Sequence, residues 1–273
     1  MNTMRVLSPE EIKAIELKLL SRFADYCDEK GLKYYLIYGT LLGAVRHKDF
    51  IPWDDDIDVC MPREDYLHFI ELQKQNKTFD YCCVSNNTSS QPFIKIMDLS
   101  TKIDQDTLDD TEVSHLWVDV FPLDYMPDDE KEYMKAYRYV RFLRFLMVYS
   151  VARIGAGTNL LRKIIKIPMI IICKAIGRYR LARRIDNYCM NLSPKSNHVN
   201  SLCWGARGIE AYSNISIFAD RVRMIFEGEE FWAPVGWHEY LSSIYGDYMK
   251  LPPESQRVGH HMVAYINEEE SHA

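Results

Sequence analysis

Four aspartates fall within five positions of this 273-residue chain: Asp54, Asp55, Asp56 and Asp58. Carboxylates so close repel one another unless a cation or solvent screens them. A solvated acidic turn suits Asp54 and Asp55. It does not suit Asp58, which interrupts the apolar run IDVCM and is costly to bury without a partner. Asp56 and Asp58 alternate with Ile57 and Val59, and side chains two apart on a strand share a face. The pair is therefore expected to ligate a divalent cation. Mg²⁺ suits one or two carboxylates completed by water and phosphate oxygens, and Mn²⁺ can take its place. An EF-hand is excluded, because its glycine and distal glutamate are missing. A third carboxylate is expected from Asp119 in HLWVDVFPLD, with Val118 and Val120 facing the other way. Asp56, Asp58 and Asp119 would then hold one or two cations and clamp the attacking and leaving oxygens of a phosphoryl transfer. Asp119 is also placed to take a proton from an acceptor hydroxyl. Asp124 is a reserve candidate that, beside Pro122, reads as a turn residue.

Phosphate recognition is expected at Gly39-Thr40. A glycine before a helix lets backbone approach a phosphate, the helix N-terminus offers free N–H groups, and Thr40 adds a hydroxyl. The same dipeptide is also common as a plain cap. Arg46, two turns on, can grip a phosphate bidentately or make a helix salt bridge. Lys95, inside the strand PFIKIMD, can neutralise a diphosphate or leaving group. Trp53, Tyr35 and Tyr38 can stack on a base or hold a quaternary ammonium by cation–π contact, although core packing suits most of them. His260 and His261 can contact a nucleotide or move a proton near neutral pH; Tyr245 and Arg257 share that stretch.

The elements that must position these groups are legible in the pattern. Ser8-Pro9-Glu10-Glu11 is a capped helix start. Ile12, Ile15, Leu19, Leu20, Phe23 and Cys27 recur at helical spacing, and Gly31 is placed to end that helix. Residues 33–38, KYYLIY, read as a buried strand. Arg63–Gln75 reads as a helix. Tyr81–Val84, Pro92–Met97 and Leu116–Phe121 read as strands, with an exposed hairpin or loop over Leu99–Glu112. Residues 128–192 read as two or three helices. Arg221–Phe226 and Glu230–Ala233 flank a hairpin turn. Val235–Tyr245 reads as a short helix ended at Gly246, and the tail INEEESHA reads as loose. A β-α-β opening with further strands indicates an α/β or α+β domain with helices on a mixed sheet.

The net charge of −6 argues against nucleic-acid binding, which needs a basic surface. The basic charge is concentrated: residues 141–184 hold eleven Lys or Arg and no acid, interleaved with Phe, Ile and Leu. A solvated helical face explains this, as does a surface lying on anionic lipid. The seven cysteines contain no CxxC pair and read as reduced, buried thiols. The N-terminus is not expected to be a signal peptide, and no apolar run approaches the ~20 residues that span a bilayer. A cytoplasmic location, with peripheral contact at the inner membrane face, is the expectation.

GTLLGAVRHKDFIPWDDDIDVCMPREDY resembles the signature of the LicD family of phosphotransferases. VDVFPLD resembles that family's third-carboxylate strand, and HEYLSSIYGDYMKLPPESQRVGHH its C-terminal block. The resemblance covers roughly residues 32–124 and 221–261; residues 128–200 carry little of it. It implies an α+β nucleotidyltransferase-like fold, a mixed sheet with flanking helices, to which the residue pattern adds a helical basic subdomain. With the resemblance placed on the residue pattern, 1–127 is expected to be a catalytic core and 201–273 a part that completes it, while 128–200, a helical basic segment, is read from its own composition as facing acceptor or membrane. The turn is Gly39-Thr40, with Thr in the serine position, and the acids are Asp56, Asp58 and Asp119. The implied reaction is transfer of phosphocholine from CDP-choline to a sugar hydroxyl of a lipid-linked teichoic acid or lipopolysaccharide precursor, releasing CMP. Nucleotidyl transfer, a CDP-alditol donor, or a catalytically silent nucleotide-binding scaffold are the alternatives.

Overall fold

The computed structural model describes residues 4–103, 114–151, 160–203, 209–257, 259 and 263–267, with backbone alone at 151 and 160–166. In chain order the elements are β1 (Met4–Val6), α1 (Pro9–Lys30), β2 (Tyr35–Leu36), α2 (Tyr38–Arg46), β3 (Asp58–Pro62), α3 (Arg63–Gln75), β4 (Asp80–Cys82), β5 (Ile94–Asp98), β6 (Thr101–Ile103), β7 (Leu116–Met126), α4 (Glu130–Val151), α5 (Leu160–Ile176), α6 (Arg178–Met190), β8 (His198–Asn200), β9 (Ser213–Asn214), β10 (Arg221–Phe226), β11 (Glu229–Pro234), α7 (Trp237–Tyr245) and β12 (Ala264–Asn267).

The central sheet runs β2-β3-β7-β5-β4, with β8 and β9 continuing from the far part of β7. The β3–β7 pair is parallel and its neighbours are antiparallel, so the sheet is mixed and the architecture is α+β. Parallel neighbours need a crossover, and α3 begins the one between β3 and β7. The first helix forms as its sequence dictates. Ser8 Oγ accepts from the Glu11 N–H, and the Glu11 carboxylate accepts from the Ser8 N–H, closing a capping box. Gly31 ends the helix in the left-handed region, φ 69°. The buried face of α1 carries Ile12, Leu19, Leu20, Phe23 and Cys27, and one charged residue, Glu16.

Several sequence-based expectations need correction. The strand expected over 33–38 is reduced to Tyr35–Leu36, because the chain turns at Tyr38 (φ 45°) and enters α2 there. Of the exposed hairpin or loop expected over Leu99–Glu112, the described part holds a strand, β6, and residues 104–112 lie outside the described residues. The tail expected to be loose contains β12, which pairs with both β1 and β6. The remaining tail, 268–273, lies outside the described residues. Asp124 does not shape a turn. It lies inside an 11-residue strand, where both its oxygens accept from Arg63 at 2.6 and 2.7 Å.

Arg63 also donates to Asp186 of α6 at 2.8 Å. This buried ion triad fastens the helical region to the sheet, since removing one member leaves an uncompensated charge. Among the described residues of 128–192 there are three helices, α4, α5 and α6, and α4 packs on both others. The hairpin β10–β11 turns at Glu227 and Gly228, both at positive φ (51° and 80°), as a tight two-residue turn requires. All seven cysteines are free and buried.

Candidate metal and phosphate site

The site grows from the junction of α2, β3 and β7. Gly39 lies in the first turn of α2, where a Cβ would stand 2.5 Å from Asp54 Oδ2. The absence of a Cβ at Gly39 lets the Asp54 carboxylate lie against the helix start. Thr40 is buried, and its Oγ1 accepts from the Asp58 N–H at 2.8 Å. Its hydroxyl therefore braces the acid strand. The Ile37 N–H donates to the Asp58 carbonyl at 3.2 Å, and the Asp119 N–H to the Ile57 carbonyl at 2.9 Å. Helix start and two strands are thus tied by backbone at the acids.

Strand register then aligns the charges. Asp58 is directly opposite Asp119 across the parallel β3–β7 pair, and Asp119 is opposite Lys95 across β7–β5. Opposed residues project to the same face, so two carboxylates and an ammonium form one rung. Lys95 Nζ donates to Asp119 Oδ1 at 2.6 Å and lies 3.9 Å from the Trp117 ring centroid. Strand β3 starts at Asp58, and Asp56 belongs to the loop approaching it.

The electrostatics show an acid-rich site. Burial pushes the Asp58 carboxyl well up, and Asp56, Asp119 and Asp54 push it further, against a smaller opposite pull from Lys95. Burial likewise raises Asp119, while Lys95 holds it down and Asp56 adds to the rise. Glu16 on α1 is fully buried and is also raised, by burial first and then by Asp56, Asp55 and Asp119.

Among the described residues, no three His, Cys, Asp or Glu side chains are gathered into a ready cage for one ion. The donor set nevertheless fits a hard divalent cation. It offers only carboxylate oxygens, crowded until each disfavours the next one's charge, and a cation relieves that crowding.

Beside Gly39 opens a cavity of about 630 Å³, walled by Arg46, Trp53 and Asp54 on one side and by Tyr245, Tyr248 and Lys250 on the other. Among the described residues Arg46 makes no salt bridge to a helix neighbour. Its Nη1 donates to the Tyr248 carbonyl at 3.0 Å, and burial lowers its basicity. The guanidinium carbons of Arg46 and Arg257 stand 5.9 and 5.4 Å from the Trp53 ring centroid. A Cβ on Gly259 would meet the Trp53 carbonyl at 2.3 Å, so the C-terminal block closes on the acidic loop. His260 and His261 lie outside the described residues.

Tyr35 and Tyr38 are structural. The Tyr35 hydroxyl donates to the Phe218 carbonyl at 2.8 Å, and Tyr38 packs against Phe121 and Tyr240. Sequence reading missed Glu16, Trp117 and the Tyr248–Lys250 wall. Only Glu16 left a signal, as an acid at the buried spacing of Ile12, Leu19 and Leu20.

A mixed sheet carrying acids on adjoining strands, with the first turn of a helix held against them at Gly39, is the arrangement that a phosphotransferase of nucleotidyltransferase type needs. The family model described as LicD/FKTN/FKRP, nucleotidyltransferase domain, matches residues 31–145. The chain is 32% identical over 277 residues to the lipopolysaccharide cholinephosphotransferase LicD of Haemophilus influenzae, covering 96% of this chain and 100% of that relative. It is 29% identical over 133 residues to an uncharacterised protein of Rickettsia typhi, covering 47% of this chain and 41% of the other. Over 35 residues the chain is 54% identical to the human ribitol 5-phosphate transferase FKRP, covering 13% of this chain and 7% of that protein. The chain belongs to the LicD family and is a phosphotransferase.

Proposed function

We propose that the protein transfers phosphocholine from CDP-choline to a sugar hydroxyl of a cell-surface glycan precursor, teichoic acid or lipopolysaccharide, and releases CMP. The observation that carries this reading is the rung of Asp58, Asp119 and Lys95 beside the glycine-opened helix, in a chain aligned along the full length of a cholinephosphotransferase. Asp56, Asp58 and Asp119 would hold Mg²⁺ or Mn²⁺. A bound divalent cation supplies charge neutralisation at the diphosphate.

The chain's own groups do the rest. The N-terminus of α2 at Gly39 and Thr40 faces the phosphates, and Arg46 lines the adjoining cavity as a further phosphate partner. The acceptor hydroxyl attacks the choline-bearing phosphorus, the P–O bond to CMP breaks, and the hydroxyl proton passes to Asp119. Lys95 stabilises the carboxylate of Asp119 and charge developing beside it. His260 and His261 remain candidates for nucleotide contact. Measuring CMP release from CDP-choline with Mg²⁺ and candidate glycan acceptors tests the reading; no choline-dependent release with any acceptor would overturn it.

A second donor is favoured by the short, strong match to a ribitol 5-phosphate transferase. Faster CMP release from CDP-ribitol than from CDP-choline would move the assignment there.

Action at the inner membrane face is supported by the helical region. Phe142, Phe145 and Val148 of α4 and Ile171 and Ile172 of α5 are exposed. A groove between α4 and α6 of about 620 Å³ carries Arg180, Arg183 and Arg184 beside Tyr139 and Tyr188. Exposed apolar side chains and a cluster of cations in one helical region are the two components that an anionic bilayer surface takes up. Among the described residues no helix is long and apolar enough to cross a membrane. Flotation with anionic liposomes should lose the Arg180→Glu/Arg183→Glu/Arg184→Glu variant and keep wild type; equal flotation would count against contact.

A further inference from the structure

Glu16 is the one acid in the core of α1, with 0% of its surface exposed. Neither of its carboxyl oxygens has a hydrogen-bond partner among the described residues. Such a group is costly to leave buried, and replacing it by an apolar side chain would ordinarily stabilise a fold. Its surroundings make the cost greater. After burial itself, the groups acting on it most strongly are Asp56, Asp55 and Asp119, all of the same sign. The nearby cation Lys95 is already engaged by Asp119 Oδ1 at 2.6 Å. Helix α1 packs on β7 and β5, the strands that carry Asp119 and Lys95. The fold therefore brings a further carboxyl, from a separate layer, into electrostatic reach of the acid cluster and gives it nothing to bond.

We propose that Glu16 is a positioning residue of the cation site, whose missing partner is the hydrated divalent cation held by Asp56, Asp58 and Asp119. This rests on the reading of those three acids as a cation site. In the metal-free protein Glu16 is a cost without a return. With the ion bound it holds the acidic loop and β7 to the helix layer around a shared positive charge.

Three measurements on the full chain test this, using Mn²⁺ alone as probe: Mn²⁺ affinity by titration calorimetry, the metal-free Tm, and the rise in Tm at saturating Mn²⁺. Glu16→Gln keeps size and removes charge; Glu16→Met removes the polar group. Both should melt metal-free at or above wild type. Both should bind Mn²⁺ at least about tenfold more weakly, in the range found for groups that support metal ligands, and show a smaller Mn²⁺-induced rise in Tm. Wild-type Mn²⁺ affinity in both variants would overturn the proposal. A metal-free Tm well below wild type in both would mark Glu16 as a structural carboxyl and overturn it as well. If wild type itself binds no Mn²⁺ while still releasing CMP, the cation-site reading falls first and takes this inference with it, leaving the phosphotransfer reading standing.

Discussion

Thr40 Oγ1 accepts a hydrogen bond from the backbone N–H of Asp58 at 2.8 Å, joining the start of α2 to the first residue of β3. Through this bond the phosphate-facing turn and the acid strand are one unit, and a change in either displaces the other. Thr40→Ser should keep the bond and most of the activity. Thr40→Val, which fills the same space without an acceptor, leaves a part-buried N–H unpaired and should cost about 1 kcal/mol. It should also lower kcat. Urea melts and CMP-release kinetics on the two variants give the answer; equal behaviour of Val and Ser would refute the brace.

Asp58→Asn should reduce turnover by ~10²-fold or more, as expected for loss of a group that stabilises transferring charge, while the variant stays folded. Its pH dependence has a definite sign. The folded carboxyl of Asp58 is raised above its ordinary 3.8. A raised acid contributes stability that is fully present below the unfolded value and is lost as pH rises through the folded one. In metal-free buffer the variant should therefore match wild type near pH 4 and become the more stable protein toward pH 8. A stability difference that does not change with pH would contradict the burial of this charge.

Lys95 and Asp119 should behave as a coupled pair. Lys95→Met leaves Asp119 buried and uncompensated, which costs about 3–5 kcal/mol for a buried pair with one partner removed. Adding Asp119→Asn should return much of that stability without returning activity. A double-mutant cycle in urea measures the coupling, and strict additivity would show that the 2.6 Å contact carries little energy.

Gly39→Ala places a Cβ 2.5 Å from Asp54 Oδ2. The obstructing atom is the end of a side chain, so the fold should survive with a small loss of stability. The acidic loop must shift, and turnover should fall by about tenfold or more, since small misplacements at a reacting centre are expensive. Pairing the change with Asp54→Ala should restore part of the activity; a further drop would place the damage elsewhere.

The thiols provide a test independent of the site. Burial pushes Cys83 up to about 12 and raises Cys27, Cys60, Cys189 and Cys203 as well. The folded protein should react slowly with a thiol reagent near neutral pH and expose all seven groups on unfolding. Since these folded values lie above the ordinary 9.0, their stabilising contribution is intact below pH 9 and is lost as pH climbs toward 12. Rapid titration of several thiols in the native state would contradict the packing of β3, β4 and α6.

Much of this protein is legible in its sequence because the signals are local. Capping at Ser8 and Glu11, the stop at Gly31, the helix at Arg63–Gln75 and the turn at Glu227-Gly228 each depend on a few neighbouring residues. Asp58 and the glycine turn are legible for the same reason, a charge inside a short apolar run and a strand-to-helix turn being short-range patterns. The alternation expected to put Asp56 on the same strand is not realised, because β3 begins only at Asp58. Tertiary structure decided what depends on residues far apart in the chain. Strand register alone sets Asp58 opposite Asp119 and Asp119 opposite Lys95. Helix packing brings Glu16 into reach of the acids, and Arg63 selects Asp124 and Asp186 as partners. The pairing of β12 with β1 and β6 was equally invisible, since an edge is completed only by the strands folding brings beside it. A charged side chain in an apolar run shows from sequence that it needs a partner. Which partner it finds is settled by the packing of the whole chain, where burial makes every unpaired charge costly.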